Sequence, residues 1–328
     1  MLIKFLKNGL LLLLLIYGLA INSYLAIYLA CEDCIVLIAQ ANHVAHWITL
    51  SNVLILPLVL LVPGRRWILI WLLPGVIVFV GWYGVYFMPN ADPAVAGQTQ
   101  FRVMTFNVLG HVADPSQTYL VIDALDPDIL ATQELCPTLD AMLRIKYPYQ
   151  VSEITQGVDG LGIYSRFPIL ESEVHIPEVY AVEGNPPPYI RSVIKIDEQE
   201  VVVYTYHPTL PTFQTGRSYD DHLSEADYNY FVQLLDEEAL PVLVLCDCNT
   251  TPRTHQYAQM DQRLDDAFKA QGSGFGLTHG GDYRLDFATI RIDYLWHSDE
   301  FQPLHVEVGT DRGTSDHLPV WGDFMLQR

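Results

Sequence analysis

The sequence predicts an α/β protein of the α+β kind: packed antiparallel or mixed sheets with helices outside, preceded by three transmembrane helices. Three observations lead there. Residues 1–90 carry only six charged side chains, Lys4, Lys7, Glu32, Asp33, Arg65 and Arg66. Beyond them come many short runs of strand-forming residues and few helical periods. The links between those runs are mostly of hairpin length, which argues against a regular parallel βαβ protein.

The membrane-embedded region explains an otherwise odd composition. The chain has 328 residues and a formal net charge of -20, yet its mean hydropathy is +0.19. With the charges of residues 1–90 removed, 14 basic and 36 acidic residues remain in 91–328, a net of -22. The first region holds three charge-free stretches, 9–30, 34–64 and 67–90. Each exceeds the roughly 20 residues needed to cross a hydrocarbon core. Lys4 and Lys7 precede the first, and Arg65-Arg66 separates the second from the third. Basic clusters face the cytoplasm, so the N-terminus lies inside, the Cys31–Cys34 turn outside, and everything after Pro89 outside. Trp67, Trp71, Trp82, Tyr83 and Tyr86 fit interfacial belts. Asn42, His43 and His46 are read as interfacial residues of the second span. A cleaved signal peptide is disfavoured, because two further apolar segments follow the first.

Residues 1–90 are therefore expected to form a membrane anchor, 91–100 a linker, and 101–328 one large domain with its own core. Cys31 and Cys34 are spaced for a local disulfide in an oxidising compartment, and also for a redox motif or half a zinc site. Cys136, Cys246 and Cys248 read as packed small residues. Cys246 and Cys248 are expected to be too close along a strand to bond each other.

The elements follow in order. Residues 101–108 alternate as a strand ending near Asn107. Residues 116–125 form a helix with Ser116 as its N-cap. Residues 128–134 are a buried strand ending in Glu134, and 138–145 a helix. Residues 160–169 make a strand, a turn and the start of another strand. Residues 180–189 are a loop, and 192–196 and 201–206 a pair of strands leading to His207-Pro208. An irregular loop with Arg217 follows, then an amphipathic helix over 220–237. Val242-Leu243-Val244-Leu245 reads as a strand buried on both faces, carrying Asp247 and Asn249 at its end. Two residues apart on an extended chain, those side chains point the same way. Residues 264–270 are helical and 271–283 a glycine-rich loop. Strands follow at 291–296, 304–308 and 320–325, with Asp316-His317 before the last.

Asn107, Glu134, His207, Asp247, Asn249, Asp293, Asp316 and His317 thus all sit at strand ends. Four carboxylates converging on one site repel strongly. A divalent cation and a protonatable histidine make such a gathering reasonable. Oxygen-dominated ligation that includes an amide suits Mg²⁺ or Mn²⁺ rather than zinc. A hard metal beside an Asp–His pair is equipment for phosphate ester hydrolysis.

These residues resemble the endonuclease/exonuclease/phosphatase superfamily of DNase I-like enzymes. The resemblance covers 101–326 and rests on ordered motifs: Thr105-Phe106-Asn107-Val108, Gln133-Glu134, Gly162-Ile163-Tyr164-Ser165-Arg166, His207-Pro208, Asp247-Cys248-Asn249, Arg291-Ile292-Asp293-Tyr294 and Ser315-Asp316-His317-Leu318-Pro319. It implies a four-layer α/β/β/α sandwich with the site at one end of two packed sheets. It also implies roles. Glu134 would be the main Mg²⁺ ligand, with Asn107 beside the metal and Asp316 supporting it. Asp247 would orient and deprotonate the attacking water. Asn249 and His207 would hold the phosphate, and Asp293 would fix His317. Where the family usually has Gly-Asp-Phe-Asn, this chain has Cys246-Asp247-Cys248-Asn249, keeping both polar positions. Ser165-Arg166 reads as structural. Arg217 reads as a surface arginine. His111, His222, His255, His279 and His297 have no motif context and default to surface or core.

A region, 91–328, at -22 repels nucleic acid, whose binding draws much of its affinity from Lys and Arg. The expected partners are therefore the lipid bilayer and a phosphate ester substrate, with lipid head groups or small phosphate esters ahead of nucleic acid. An anchored extracellular nuclease is the alternative within the same chemistry. A non-catalytic, membrane-held binding domain is the alternative outside it.

Overall fold

The computed structural model describes residues 2–61, 66–88, 99–154, 160–177, 186–212, 219–280 and 287–327. Arg65, Arg217 and most of the expected linker at 91–100 lie outside these residues. The chain divides into two compact units, Met1–Met88 with Arg253–His255, and Pro89–Pro252 with Gln256–Arg328.

The first unit is helical. Helix α1 spans Leu2–Cys31, α2 Val36–Asn42, α3 Ala45–Ile55 and α4 Leu69–Tyr83. Leu2–Cys31 and Leu69–Phe87 are long and apolar enough to cross a membrane. The second apolar stretch differs from expectation: it breaks between α2 and α3 and runs from α3 into a 3-10 turn, Leu56–Leu61. Apolar composition sets the solvent a segment tolerates, not the continuity of its helix. Cys31 and Cys34 form a disulfide across the turn after α1.

The second unit is a sandwich of two six-stranded mixed sheets. Its strands are β1 (Gln100–Asn107), β2 (Ile129–Gln133), β3 (Tyr149–Glu153), β4 (Leu161–Ser165), β5 (Ile169–His175), β6 (Tyr189–Ile196), β7 (Gln199–Tyr206), β8 (Val242–Asp247), β9 (Asp265–Asp266), β10 (Asp293–His297), β11 (Phe301–Val308) and β12 (Val320–Leu326). One sheet runs β11-β12-β1-β2-β4-β3 and the other β5-β6-β7-β8-β10-β9. Helices α5 (Pro115–Leu125) and α6 (Pro137–Lys146) cover the first sheet, while α7 (His222–Glu237) and α8 (His255–Asp261) cover the second; the short α9 (Ala267–Gln271) follows β9.

Strand alternation builds these layers. Met104, Phe106 and Leu130 face Val121, Ile122 and Leu139 of the covering helices. Val103, Ile129 and Ala131, on the opposite face of their strands, are equally buried, between the sheets. On the second sheet, Tyr206 stacks on Phe231 of α7 with ring centroids 4.0 Å apart. Buried Gln133 joins the layers, its Nε2 donating to Thr205 Oγ1 at 2.9 Å and Leu245 O at 3.2 Å. A satisfied amide there fixes the register of one sheet against the other beneath the strand ends.

Three local expectations are corrected. The cap of α5 is Asp114, which accepts from Ser116 N–H, and not Ser116. Pro115 occupies the first helical position, where its missing N–H costs nothing, so the cap falls one residue earlier. Strand β3 and helix α8 went unread, because neither has a clean period. Cys246 and Cys248 are disulfide-bonded, with Cα atoms 5.1 Å apart. They were expected to be too close along a strand to bond; but β8 stops at Asp247, and the chain bends there.

Candidate active site

The topology delivers the polar residues to one end. Strands β1 and β2 are parallel with Asn107 opposite Gln133, so Asn107 and Glu134 leave the first sheet side by side. Strands β7 and β8 are parallel with Tyr206 opposite Cys246, which sets His207 beside Asp247. Strand β10 runs antiparallel to β8 and begins at Asp293, directly opposite Asp247. Strand β12 is antiparallel to β1, so Asp316 and His317, just before it, reach the same end.

Hydrogen bonds then knit the set together. Asn107 Nδ2 donates to Glu134 Oε1 at 3.0 Å and to Asp247 Oδ2 at 2.9 Å. Its Oδ1 accepts from Leu109 N–H at 3.0 Å. Asn107 thus enters the site through its N–H groups rather than through the oxygen a metal ligand offers. His207 Nε2 lies 3.4 Å from Asp247 Oδ2, and His317 Nε2 3.6 Å from the same oxygen. His317 Nδ1 is 2.9 Å from Asp293 Oδ2. Asp293 N–H and Ile292 N–H both donate to Thr278 Oγ1, which anchors the start of β10. Ser315 Oγ donates to Asn107 O at 2.8 Å and accepts from His317 N–H, joining the His317 loop to β1.

Asn249 is placed differently from the strand-alternation expectation. It lies beyond β8 with a φ of 49°, and its N–H donates to Asp247 Oδ1 at 3.1 Å. Its Nδ2 donates to Pro208 O at 2.9 Å, leaving the second amide hydrogen to offer elsewhere. Glu134 is also left-handed, with a φ of 53°. Non-glycine residues held there cost of order 1–3 kcal/mol unless their surroundings fix them. At Glu134 the fixing contacts are backbone: Gly110 N–H donates to Glu134 O, and Leu135 N–H to Gly160 O, each at 2.8 Å. A Cβ on Gly110 would stand 2.3 Å from Glu134 O, so only glycine lets the two chains approach.

Burial and charge give each group a state. Burial disfavours charge on His317, but the Asp293 and Asp247 carboxylates outweigh it and push its pKa up to about 10. Burial likewise opposes ionisation of Asp247, yet His317, His207 and Asn107 hold it well below the carboxylate range. Burial pushes Asp293 up, assisted by Asp247 and opposed by His317. Burial opposes charge on His207 too, and Asp247 raises it. Two carboxylates at one cross-strand position repel; the imidazolium between them makes the pair tolerable.

Two histidines without motif context also sit here. His111 Nδ1 is 3.3 Å from Glu134 Oε2, and His279 Nε2 is 3.5 Å from Asp316 Oδ2. The His279 ring lies 4.5 Å from that of His317. Both come from loops, where no hydrophobic period marks them. Ser165 and Arg166 are structural as expected: Ser165 Oγ accepts from Phe167 N–H and Arg166 pairs with Asp128 at 2.9 Å.

The donor set fits a divalent cation. Among the described residues, Glu134 Oε2, which has His111 Nδ1 3.3 Å away in an ion-pair contact, and Asp316 Oδ1 are buried oxygens that accept no hydrogen bond. His279, Asp316 and His317 each present a ligand atom within 4.8 Å of the others. Asp247, Asp293 and His317 form a second such group, and buried anionic oxygens left unsatisfied are suited to a hard metal.

The comparisons agree with this architecture. The fold matches an endonuclease/exonuclease/phosphatase from Bacteroides vulgatus with TM-score 0.57, 15% identity, 70% of this chain and 100% of that chain. The human Nocturnin catalytic domain with bound sulfate gives TM-score 0.55, 17% identity, 71% of this chain and 97% of that one. The Bacteroides thetaiotaomicron mannosyl-6-phosphatase Bt3783 gives 0.53, 17%, 68% and 99%. No curated protein sequence matches significantly. Residues 104–317, from the middle of β1 to His317, match the Endonuclease/Exonuclease/phosphatase family, and the chain belongs to that family.

Proposed function

We propose that the protein is a membrane-anchored, Mg²⁺-dependent phosphoesterase. It would hydrolyse phosphodiester or phosphomonoester bonds of lipid head groups or small phosphate esters. The observation that carries the reading is the unbroken chain of contacts from Glu134 through Asn107 and Asp247 to His317 and Asp293. Glu134 and Asp316 would hold the cation, Mg²⁺ or Mn²⁺, with Asn107 beside it. When bound, the cation offsets negative charge on the phosphoryl oxygens. Asp247 orients a water for in-line attack and takes its proton. Asn249, through its second amide hydrogen, and His207 hold phosphate oxygens. His317, kept in one orientation by Asp293, donates to the oxygen on which charge develops. The bond between phosphorus and the ester oxygen breaks as the water oxygen bonds to phosphorus; the leaving oxygen takes a proton from solvent, and Asp247 gives its proton back to solvent.

Anchoring is supported by the two apolar helices of spanning length. The charge pattern puts the catalytic domain, 101–328, outside the cytoplasm only if the broken stretch from α2 through Leu56–Leu61 also crosses the membrane, as a third pass besides the two long helices. The acidity of that domain favours lipid or small phosphate esters over nucleic acid.

The full chain in detergent tests this. Mg²⁺-dependent release from a chromogenic phosphodiester, abolished by chelation and by Asp247→Asn, is expected. Parallel phospholipid, sugar phosphate and DNA substrates fix the class; DNA as the best substrate would replace the lipid reading with a nuclease. A folded wild type inactive on all of them with Mg²⁺ and Mn²⁺ overturns the enzyme reading.

A further inference from the structure

Cys246 and Cys248 bracket Asp247, and their sulfurs are bonded. Both residues are fully buried, in a cluster that includes Tyr206, Tyr228 and Phe231. The bridge therefore lies under the floor of the site, on the face of β8 opposite the Asp247 carboxylate. Residues two apart on a regular strand have Cα atoms roughly 6.6 Å apart, from a rise of about 3.3 Å per residue. Here the separation is 5.1 Å. The chain is shortened at the one residue that carries the carboxylate, and Asp247 stands at the apex of the bend.

The contacts around it share this geometry. Cys248 N–H donates to Ile292 O at 2.8 Å, and Cys248 O accepts from Tyr228 OH at 2.6 Å. The next residue, Asn249, is left-handed and donates its N–H to Asp247 Oδ1 at 3.1 Å. Each of these contacts holds the chain after Asp247. The bridge is the covalent tie between the strand before Asp247 and the turn after it, beside hydrogen bonds such as that from Tyr294 OH, opposite Cys246, to Thr250 O at 3.0 Å.

We propose that the Cys246–Cys248 disulfide is a positioning device for Asp247. It fixes the bend that aims Oδ2 at His207, His317 and Asn107 while Oδ1 meets Asn249 N–H. The sulfurs touch no substrate and act through Asp247, so the catalytic part of the proposal rests on the phosphoesterase reading. Two thiols would fill the same space, and the test must separate the cross-link from its packing.

The experiment uses the full chain in detergent with Cys31→Ala and Cys34→Ala, which confines reduction to this bridge. Alkylation in denaturant without reductant is expected to modify one cysteine, Cys136, the free one. After a phosphine reductant it should modify three. The phosphine takes oxygen from water and supplies two electrons, and two protons end on the thiols. Three modified cysteines before reduction overturn the bridge. The reduced protein keeps its sulfurs in the core, so its circular dichroism should persist. Amide exchange across 246–250 should rise about tenfold, and kcat should fall about ten- to a hundredfold with KM within about twofold, a cost of the size expected for a misplaced catalytic group. Reoxidation should restore both. A Cys246→Ala/Cys248→Ala double variant should behave like the reduced protein. Unchanged exchange and unchanged kcat in both would make the bridge mere packing. If the unreduced protein hydrolyses nothing, the phosphoesterase reading falls while exchange still decides whether the bridge holds the Asp247 turn.

Discussion

The two sheets contribute unlike halves to the site. The second sheet supplies His207, Asp247 and Asp293, and its carboxylates are compensated by protein: Asp247 by His207, His317 and Asn107, and Asp293 by His317. Glu134, after a strand of the first sheet, and Asp316, before another, keep buried oxygens that no hydrogen bond from the described residues satisfies. On the proposed reading, this difference divides the labour. A carboxylate surrounded by its own donors is set to handle a proton, whereas one with an unsatisfied oxygen is set to receive a cation.

Substitutions break the comparison in order of size. Asp247→Asn keeps the shape and removes the base, so kcat should fall by about 10³- to 10⁴-fold, measured by steady-state kinetics at saturating Mg²⁺. His317→Gln removes the donor to the developing charge and should cost about 10²- to 10³-fold in kcat. His279→Ala leaves Asp316 unsupported and should weaken metal affinity about 10- to 100-fold, seen by calorimetry without substrate. Gly110→Ala forces its Cβ against Glu134 O. It should destabilise by about 1–3 kcal/mol in thermal unfolding.

A further effect concerns pH. The His317 pKa is raised from 6.5 to about 10. A raised basic group contributes stability that is complete below its unfolded value and lost as pH rises through its folded value. The metal-free protein should therefore lose thermal stability between pH 6.5 and about 10. His317→Gln should be flatter across that window; an equal slope in both would mean that His317 is not the imidazolium joining the two aspartates.

Much of this site was legible because strands announce themselves by period and a polar residue at a strand end stands out against it. Asp247 after Val242-Leu243-Val244-Leu245 is the clearest case, and Glu134 after Ile129-Leu130-Ala131 is similar. What the pattern misses is loop chemistry. His111 and His279 reach Glu134 and Asp316 from irregular segments, where neighbours in space are not neighbours in any period. The Cys246–Cys248 bond was misread because the strand was carried one residue too far. The second apolar stretch kept its composition but not a single helix, since hydropathy does not register a helix break.

Metal binding without turnover tests the division between the two halves most directly. Mn²⁺ affinity can be measured by calorimetry on wild type, Glu134→Gln and Asp247→Asn, each checked for folding. The expected result is a loss of about 10²-fold or more for Glu134→Gln and near-wild-type affinity for Asp247→Asn, whose kcat nevertheless falls by about 10³- to 10⁴-fold. Wild-type affinity in Glu134→Gln, or an equal loss in both variants, would contradict a cation held by the first sheet and a base held by the second.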